Sequence, residues 1–332
     1  MKAMILAAGF GTRLRPLTDK VPKPMVPILN RPILEHTIHL LRSHGIHDIT
    51  VNLHHLPEMI TDTFGDGKEF GVQLHWSHEP EILGTAGGIK KAQQWLDGES
   101  FLVINSDVVV DIDLTKVISF HKAQGSALTL VVREGDSPEQ CDPIEVDDND
   151  RIVHMVGASS MNMPDDTTRV LFTGIQVMEP EIFDRIPENK FYGTTTDVFP
   201  GMLEDGLSMF VYWHHGYWKD IGTIQNYLDV HKDLLDGRME GGLPIENNNP
   251  AGGHFTQPVL IGKNCKIADT AKIGPYAVLS DGCTIGDHAV IEHSICWEDV
   301  TLGKNSHVKQ SVLGNGVATK DKETLDKKTL AQ

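Results

Sequence analysis

The sequence predicts a two-part α/β protein, a Rossmann-like, mainly parallel sheet domain followed by a short parallel β-helix. Three observations predict it. Strand-like apolar runs alternate with helical patterns through residues 1–236, the signature of βαβ units. The pattern fails across 237–257, a stretch rich in glycine, asparagine and proline that reads as a linker. Beyond it aliphatic residues recur every sixth position, the period of a parallel β-helix. The expected layout is a sheet domain over 1–236, a linker over 237–257, a β-helix over 258–318 and a charged tail over 319–332.

In chain order, the first strand is expected at Ala3 to Ala7. A helix follows at Ile33 to Leu41, stopped by Gly45, and then a strand at Ile49 to Leu53. Further strands are expected at Val72 to Trp76, Phe101 to Ile104, Ala127 to Val132, Val170 to Val177 and Met209 to Trp213. Helices are expected near Gly88 to Trp95, Leu114 to Ala123 and Ile224 to Leu235. Ligands of open α/β sheets bind at the carboxyl ends of the strands, which directs attention to the loops after Ala7 and Ile104.

In the second part Ile261, Ile267, Ile273, Leu279, Ile285 and Ile291 keep strict register, and Leu302 and Val308 resume it out of phase. Four positions after each of the first six stand Cys265, Ala271, Ala277, Cys283, Ala289 and Ile295, so these two cysteines read as small core fillers. Coils of about 18 residues predict roughly three turns. The tail from Thr319 is expected as a solvated helix.

Composition narrows the function classes. The 332 residues are 40% hydrophobic and 23% charged, as in a folded globular chain. The formal charge of −17 argues against a nucleic-acid partner, which calls for a basic face. An apolar stretch of about six residues near the start is too short for a secretory core or a membrane span. Cys141, Cys265, Cys283 and Cys296 form no CxxC pair, and the chain is expected to be cytoplasmic. Seventeen histidines, including His54 with His55 and His214 with His215, show neither an HExxH nor a Cys/His ligand spacing, so they read as packing or surface residues.

The strongest local signal is LAAGFGTRLRPLTDKVPKPMVPI, Leu6 to Ile28. Gly9 and Gly11 follow a buried strand, where backbone amides can approach a polyphosphate without a β-carbon in the way. Arg13 and Lys23 supply positive charge, the lysine held between Pro22 and Pro24. Leu14 stands where a dinucleotide fingerprint has its third glycine, and no lysine directly follows Gly11 as in a Walker loop.

LAAGFGTRLRPLT with KPM resembles the signature of the sugar nucleotidyltransferases, the NDP-sugar pyrophosphorylases. LGTAGGI (83–89), NSD (105–107), FTGIQVM (172–178) and YWKDIGT (217–223) resemble further segments of that family in order and spacing. In appearance the chain is most similar to mannose-1-phosphate guanylyltransferases. The resemblance implies that a sugar 1-phosphate, mannose 1-phosphate by preference, attacks the α-phosphorus of a nucleoside triphosphate, GTP by preference, and releases pyrophosphate.

The same resemblance implies a Mg²⁺ cofactor on Asp107 and Asp220 and catalytic roles for Arg13, Lys23 and Asp107. It places the nucleotide at Leu6, Ala8, Gly9, Gly11, Thr12, Gly84, Thr85, Ala86 and Gly87, and the sugar phosphate at Asn105, Gly174 and Lys219. It also implies that the β-helix is left-handed. A solenoid face offers a regular surface for self-association, and a homo-oligomer is expected. No nucleic-acid or membrane partner is expected.

One departure stands out. The family's Glu-Lys-Pro motif, whose lysine contacts the sugar phosphate, is replaced here by RIVHMVGASSMNMP, with Gly157 and Ala158 at about its place and no lysine between Lys122 and Lys190. Either another residue such as Lys219 or Lys190 supplies the charge, or sugar binding is altered. Two alternatives remain open on sequence: a non-catalytic nucleotide-sugar-binding regulatory relative, and an acyltransferase using His288, His293 or His307 of the β-helix.

Overall fold

The computed structural model describes residues 1–135, 144–161, 163–243, 247 and 252–332. Cys141, Asn162 and the linker residues 244–246 and 248–251 lie outside the described residues. The chain forms two compact units that interleave in sequence. The first comprises Met1–Gly9, Thr37–Val108 and Ile112–Gly216; the second comprises Phe10–His36, Val109–Asp111 and Tyr217–Gln332.

The first unit is built on a ten-stranded sheet. Its strands are β1 (Lys2–Leu6), β2 (Asp48–Leu53), β3 (Gln73–His78), β4 (Phe101–Asn105), β5 (Leu128–Glu134), β6 (Ile144–Val146), β7 (Ile152–Met155), β8 (Ala158–Ser159), β9 (Thr168–Met178) and β10 (Met209–Trp213). The main path runs β8-β7-β6-β9-β4-β1-β2-β3, with β5 on β9 and β10 on β5. β1 to β4 are mutually parallel, with Leu6 opposite Asn52 on one side and Asn105 on the other. Ala3, Met4 and Ile5 are fully buried on both faces, which explains the unbroken apolar run of β1.

The sheet is more mixed than the sequence suggests. β9 runs antiparallel to β4, β5 and β6, and β6 to β8 form a short antiparallel meander that periodicity does not reveal. Pieces of two to four residues carry too few alternations to register as strands.

In the second unit the strands of the C-terminal part pair only in parallel, stacking into three sheets, the all-parallel arrangement of a left-handed β-helix. Ile261, Ile267, Ile273, Leu279, Ile285 and Ile291 fill its interior, with Ala271, Ala277, Cys283 and Ala289 as small neighbours. Equivalent positions lie 18 residues apart in the early coils, as Val259 opposite Ala277, and 17 apart later, as Val278 opposite Ile295. One side of each later coil is therefore a residue shorter. The interior position after Ile291 is Cys296, and Ile295 and Trp297 belong to a different, outward cluster. This dropped residue is why Leu302 and Val308 resume the period out of phase.

Corners recur with the same spacing. Tyr276, His293 and Gln310 all have φ near +50°, as do His288 and Asn305, so two of His288, His293 and His307 sit at left-handed turns.

The expected tail helix is corrected. Thr324–Asp326 pairs with His307–Lys309, and Thr329–Leu330 pairs with Val312–Leu313, so the coils continue to the end of the chain instead of stopping at 318. Parallel pairing buries Leu325 in the coil interior, an anchorage that an isolated charged helix lacks.

The outward cluster holds the rest of the second unit. Helix α1 (Ile224–Leu235) is capped by the Thr223 hydroxyl accepting from Asn226 N, and buries Tyr227, Val230, His231 and Leu234, a spacing that makes one face. Tyr227, Val230 and Leu234, with Leu14, Leu17, Val26 and Ile28 of the opening segment, pack on Leu260, Val278, Ile295, Trp297 and Val312. By compactness, residues 10–36 and 217–236 thus group with the β-helix, whereas the sequence-order division placed them in a domain ending at 236. Among the described residues no helix is long and apolar enough to cross a membrane.

Candidate active site

In the first unit, the candidate residues lie where β1, β2 and β4 end. Leu6 O accepts from Ser106 N at 3.1 Å, tying the turn that carries Asp107 to the end of β1. Ala8 is buried, and a β-carbon at Gly9 would meet nothing within 4 Å, so the space beside that glycine is open. Asn105, the last residue of β4, packs its side chain against Gly174. At that point β9 slips register against β5, between Phe172 and Gln176, and Gly174 takes φ +82°. A bulge that re-aims a strand beside a candidate site is a recurring device, and the glycine is needed because a β-carbon would overlap the Asn105 amide.

Within the LGTAGGI segment Leu83 caps a helix, Gly84–Lys91, whose first turn packs closely on the backbone of Lys190 and Tyr192. Ala86 N and Gly87 N donate to Tyr192 O at 2.9 and 3.2 Å, and Thr194 N donates to the Thr85 hydroxyl at 2.8 Å. A β-carbon at Gly84 would lie 2.7 Å from Tyr192 O. The glycines at 84 and 87 are thus accounted for by backbone packing. Thr85 is engaged with Thr194, and Lys190 is exposed.

Two further polar residues, not singled out by motif, complete this region. Asn52 and Glu79 are buried and bridge the end of β1 to the start of the Gly84–Lys91 helix. A carboxylate amid the EPEILGTAGG run was visible in the sequence, but nothing there marks it as buried.

In the second unit, Gly11 has φ +62°, and a β-carbon there would come within 3.0 Å of Thr18 and 3.1 Å of Lys23. The Thr18 hydroxyl donates to Gly11 O at 2.8 Å and closes the loop. Thr12 opens a short 3₁₀ turn, Thr12–Leu14, in which Leu14 is buried while Arg13 is exposed. Lys23 begins a second such turn between Pro22 and Pro24.

The guanidinium of Arg13 lies against Gly222, where a β-carbon would be 2.8 Å from Nη2. Arg13 makes no ion pair with a described residue. Asp220 Oδ1, beside the same glycine, accepts from Gly222 N at 2.5 Å and from Asn226 Nδ2 at 3.2 Å. Its Oδ2 takes no hydrogen bond from the described residues. An aspartate oriented this way suits a hard cation, and Mg²⁺ commonly takes one or two carboxylates and completes its shell with phosphate oxygens and water.

Lys219 is placed differently from expectation. Its ammonium donates to Asp233 Oδ2 at 3.0 Å and lies 3.7 Å from Asp229, both on α1. Where the lysine of the Glu-Lys-Pro motif was sought, Gly157 has φ +77° and Ala158 is buried in β8.

Two family models match the chain: Nucleotidyl transferase over residues 2–237, and GMPPB C-terminal domain over 255–331. The chain belongs to the nucleotidyl transferase family, and it is a nucleotidyltransferase carrying a GMPPB-type C-terminal domain. It is 33% identical to a mannose-1-phosphate guanyltransferase of Schizosaccharomyces pombe, over 97% of this chain and 93% of that protein. It is 32% identical to a UTP--glucose-1-phosphate uridylyltransferase of Synechocystis, over 98% of this chain and 90% of that one. Among solved structures, a putative glucose-1-phosphate thymidylyltransferase from Bacillus anthracis shares the fold with a TM-score of 0.60 at 22% identity, over 69% of this chain and 93% of that chain.

Proposed function

We propose that the enzyme transfers a nucleoside monophosphate from a triphosphate, GTP by preference, to a sugar 1-phosphate, mannose 1-phosphate by preference, giving an NDP-sugar and pyrophosphate. The observation that carries this reading is the GMPPB C-terminal domain together with guanylyltransferase relatives that cover nearly the whole chain. The uridylyltransferase relative at 32% identity makes UTP and glucose 1-phosphate the competing pair.

The reaction brings two anions together and stabilises a departing pyrophosphate, so positioning and charge neutralisation do most of the catalysis. In this reading the glycine loop at 9–11 leaves room for the triphosphate, and Arg13 and Lys23 neutralise its phosphates. Asn105 and Gly174 border the sugar, and Gly84 to Gly87 the nucleotide. Asp107 and Asp220 are the proposed Mg²⁺ ligands; the ion, when bound, screens phosphate charge. Lys219 is committed to Asp233 and Asp229, so most of the positive charge falls to Arg13 and Lys23. The enzyme is proposed to act in the cytoplasm as a homo-oligomer.

The test is pyrophosphate release with Mg²⁺ across four nucleoside triphosphates and mannose, glucose and heptose 1-phosphates. Highest kcat/KM with GTP and mannose 1-phosphate is expected. A preference for UTP with glucose 1-phosphate overturns the substrate assignment. Silence across the panel, with nucleotide-sugar binding intact, favours the regulatory relative that the missing Glu-Lys-Pro lysine suggested.

A further inference from the structure

The geometry points to Glu79 and Asn52 as positioning residues for the nucleotide, a buried hydrogen-bond wire that sets the start of the glycine loop against the LGTAGG segment. The inference rests on the proposed function, since it concerns the same site. Glu79 follows the end of β3 and is 2% exposed; Asn52 is the penultimate residue of β2 and is 3% exposed. Ala7 N donates to Asn52 Oδ1 at 2.8 Å, Asn52 Nδ2 donates to Glu79 Oε1 at 2.7 Å, and Leu83 N donates to Glu79 Oε2 at 2.9 Å. Ala7 begins the loop that leaves β1, and Leu83 is the N-cap of the Gly84–Lys91 helix. The wire thus joins two segments that the sequence assigns to the nucleotide, 76 residues apart, through two side chains with no other assigned role.

Its polarity is what makes it specific. Both ends are backbone N–H groups, which can only donate, so the two linking side chains must between them present an acceptor at each end. An asparagine and a carboxylate do this in one arrangement only: the amide takes Ala7 and passes its N–H to Glu79, which accepts from both sides. The site is also tight, because a β-carbon at Gly88 would lie 2.6 Å from Glu79 Oε1 and 2.8 Å from Asn52 Nδ2. A buried carboxylate here is favoured by the two N–H donors it receives and by its place at a helix N-terminus. It serves geometry, since an apolar pair would pack without fixing Ala7 against Leu83.

Two substitutions separate this role from a generic core contact. In Glu79→Gln one donor must face another, the new NH₂ against Asn52 Nδ2 or Leu83 N, or a flipped Asn52 amide against Ala7 N, and the wire breaks in every case. In the double variant Asn52→Asp with Glu79→Gln, the carboxylate moves one position along: Ala7 N donates to Asp, Gln Nε2 donates to Asp, and Leu83 N donates to Gln Oε1. Every bond is restored with the charge and the atom count unchanged.

The measurement is steady-state pyrophosphate release by the full-length enzyme, with GTP varied at saturating mannose 1-phosphate and the reverse, alongside thermal melting. The single variant is expected to raise the triphosphate KM at least about tenfold, the scale of one unsatisfied buried donor, with the sugar-phosphate KM little changed. The double variant is expected to return the triphosphate KM to within about threefold of the wild type. An unchanged triphosphate KM in the folded single variant, or equal shifts in both substrates' KM, overturns the inference. So does a folded double variant with a raised triphosphate KM, and the double variant alone decides if the single one does not fold. A wild-type enzyme that releases no pyrophosphate from any pair refutes the proposed function instead, a result visible before any variant is compared.

Discussion

At the residue scale, His231 shows how a titratable side chain in the second unit acts as structure. Its Nε2 accepts from Leu29 N at 3.2 Å and its Nδ1–H donates to Tyr227 O at 2.9 Å, so the ring must be neutral to make both bonds. Burial lowers its pKa to about 4, from an ordinary value of 6.5. Below 6.5 the unfolded chain binds a proton that the folded chain refuses, so stability falls as pH drops through 6.5 and levels off near 4. The loss is roughly 3 kcal/mol over that window. Urea unfolding between pH 7 and pH 4 should show this slope, and His231→Gln should flatten it while lowering stability at pH 7; an identical slope in the variant would contradict the assignment.

The proposed metal ligands belong to the same scale. Asp220→Asn keeps an oxygen for Gly222 N and Asn226 but removes the charge, and Asp107→Asn removes the charge at its turn. Each is expected to cut kcat at least about a hundredfold with little change in melting temperature. Full turnover in either variant would remove that residue from the metal site. These aspartates can be singled out in the sequence because both fall in short motifs that resemble the family's. Glu79 and Asn52 cannot, since burial of a polar side chain depends on neighbours that the local pattern does not contain.

At the element scale, what was legible and what was not divides by length and by environment. β1, β4 and α1 carry runs or spacings long enough to expose their period, and they stand within a residue or two of where the pattern put them. β6 to β8 are too short, and the coils hide a change from 18 to 17 residues inside an otherwise regular repeat. Beyond 318 the hydrophobic period thins to Leu325 and Leu330 among lysines, so the sequence reads as a charged helix where strand pairing continues the coils.

The bulge in β9 makes a testable point about such elements. Gly174 combines φ +82° with contact against the Asn105 amide, so alanine there meets both backbone strain and overlap. Gly174→Ala is expected to lower stability by about 1–3 kcal/mol and to raise the KM for the sugar phosphate more than that for the triphosphate. Equal effects on the two would place the bulge outside the sugar side of the site.

At the scale of the whole molecule, the family models divide the chain at residues 237 and 255, whereas packing groups the opening signature with the β-helix. The join within the second unit is specific. Trp297 donates its indole N–H to Tyr227 OH at 3.0 Å, and that hydroxyl donates to Pro27 O at 2.6 Å, linking a β-helix coil to α1 and α1 to the segment that carries Arg13 and Lys23. Trp297 is nearly fully buried in the cluster that also holds Leu14, Leu17, Val26 and Ile28. The β-helix is therefore a scaffold for the signature loop, and its loss should be felt there. Trp297→Ala is expected to cost about 3–5 kcal/mol, and in the folded protein to speed proteolysis within residues 10–36. A chain ending at residue 236 leaves those leucines and the buried face of α1 without the surface they pack on, so it should bind dyes specific for exposed apolar surface and release no pyrophosphate. If that shortened chain melts cooperatively and turns over like the full one, the β-helix is an appendage and its outward cluster contributes nothing to the site.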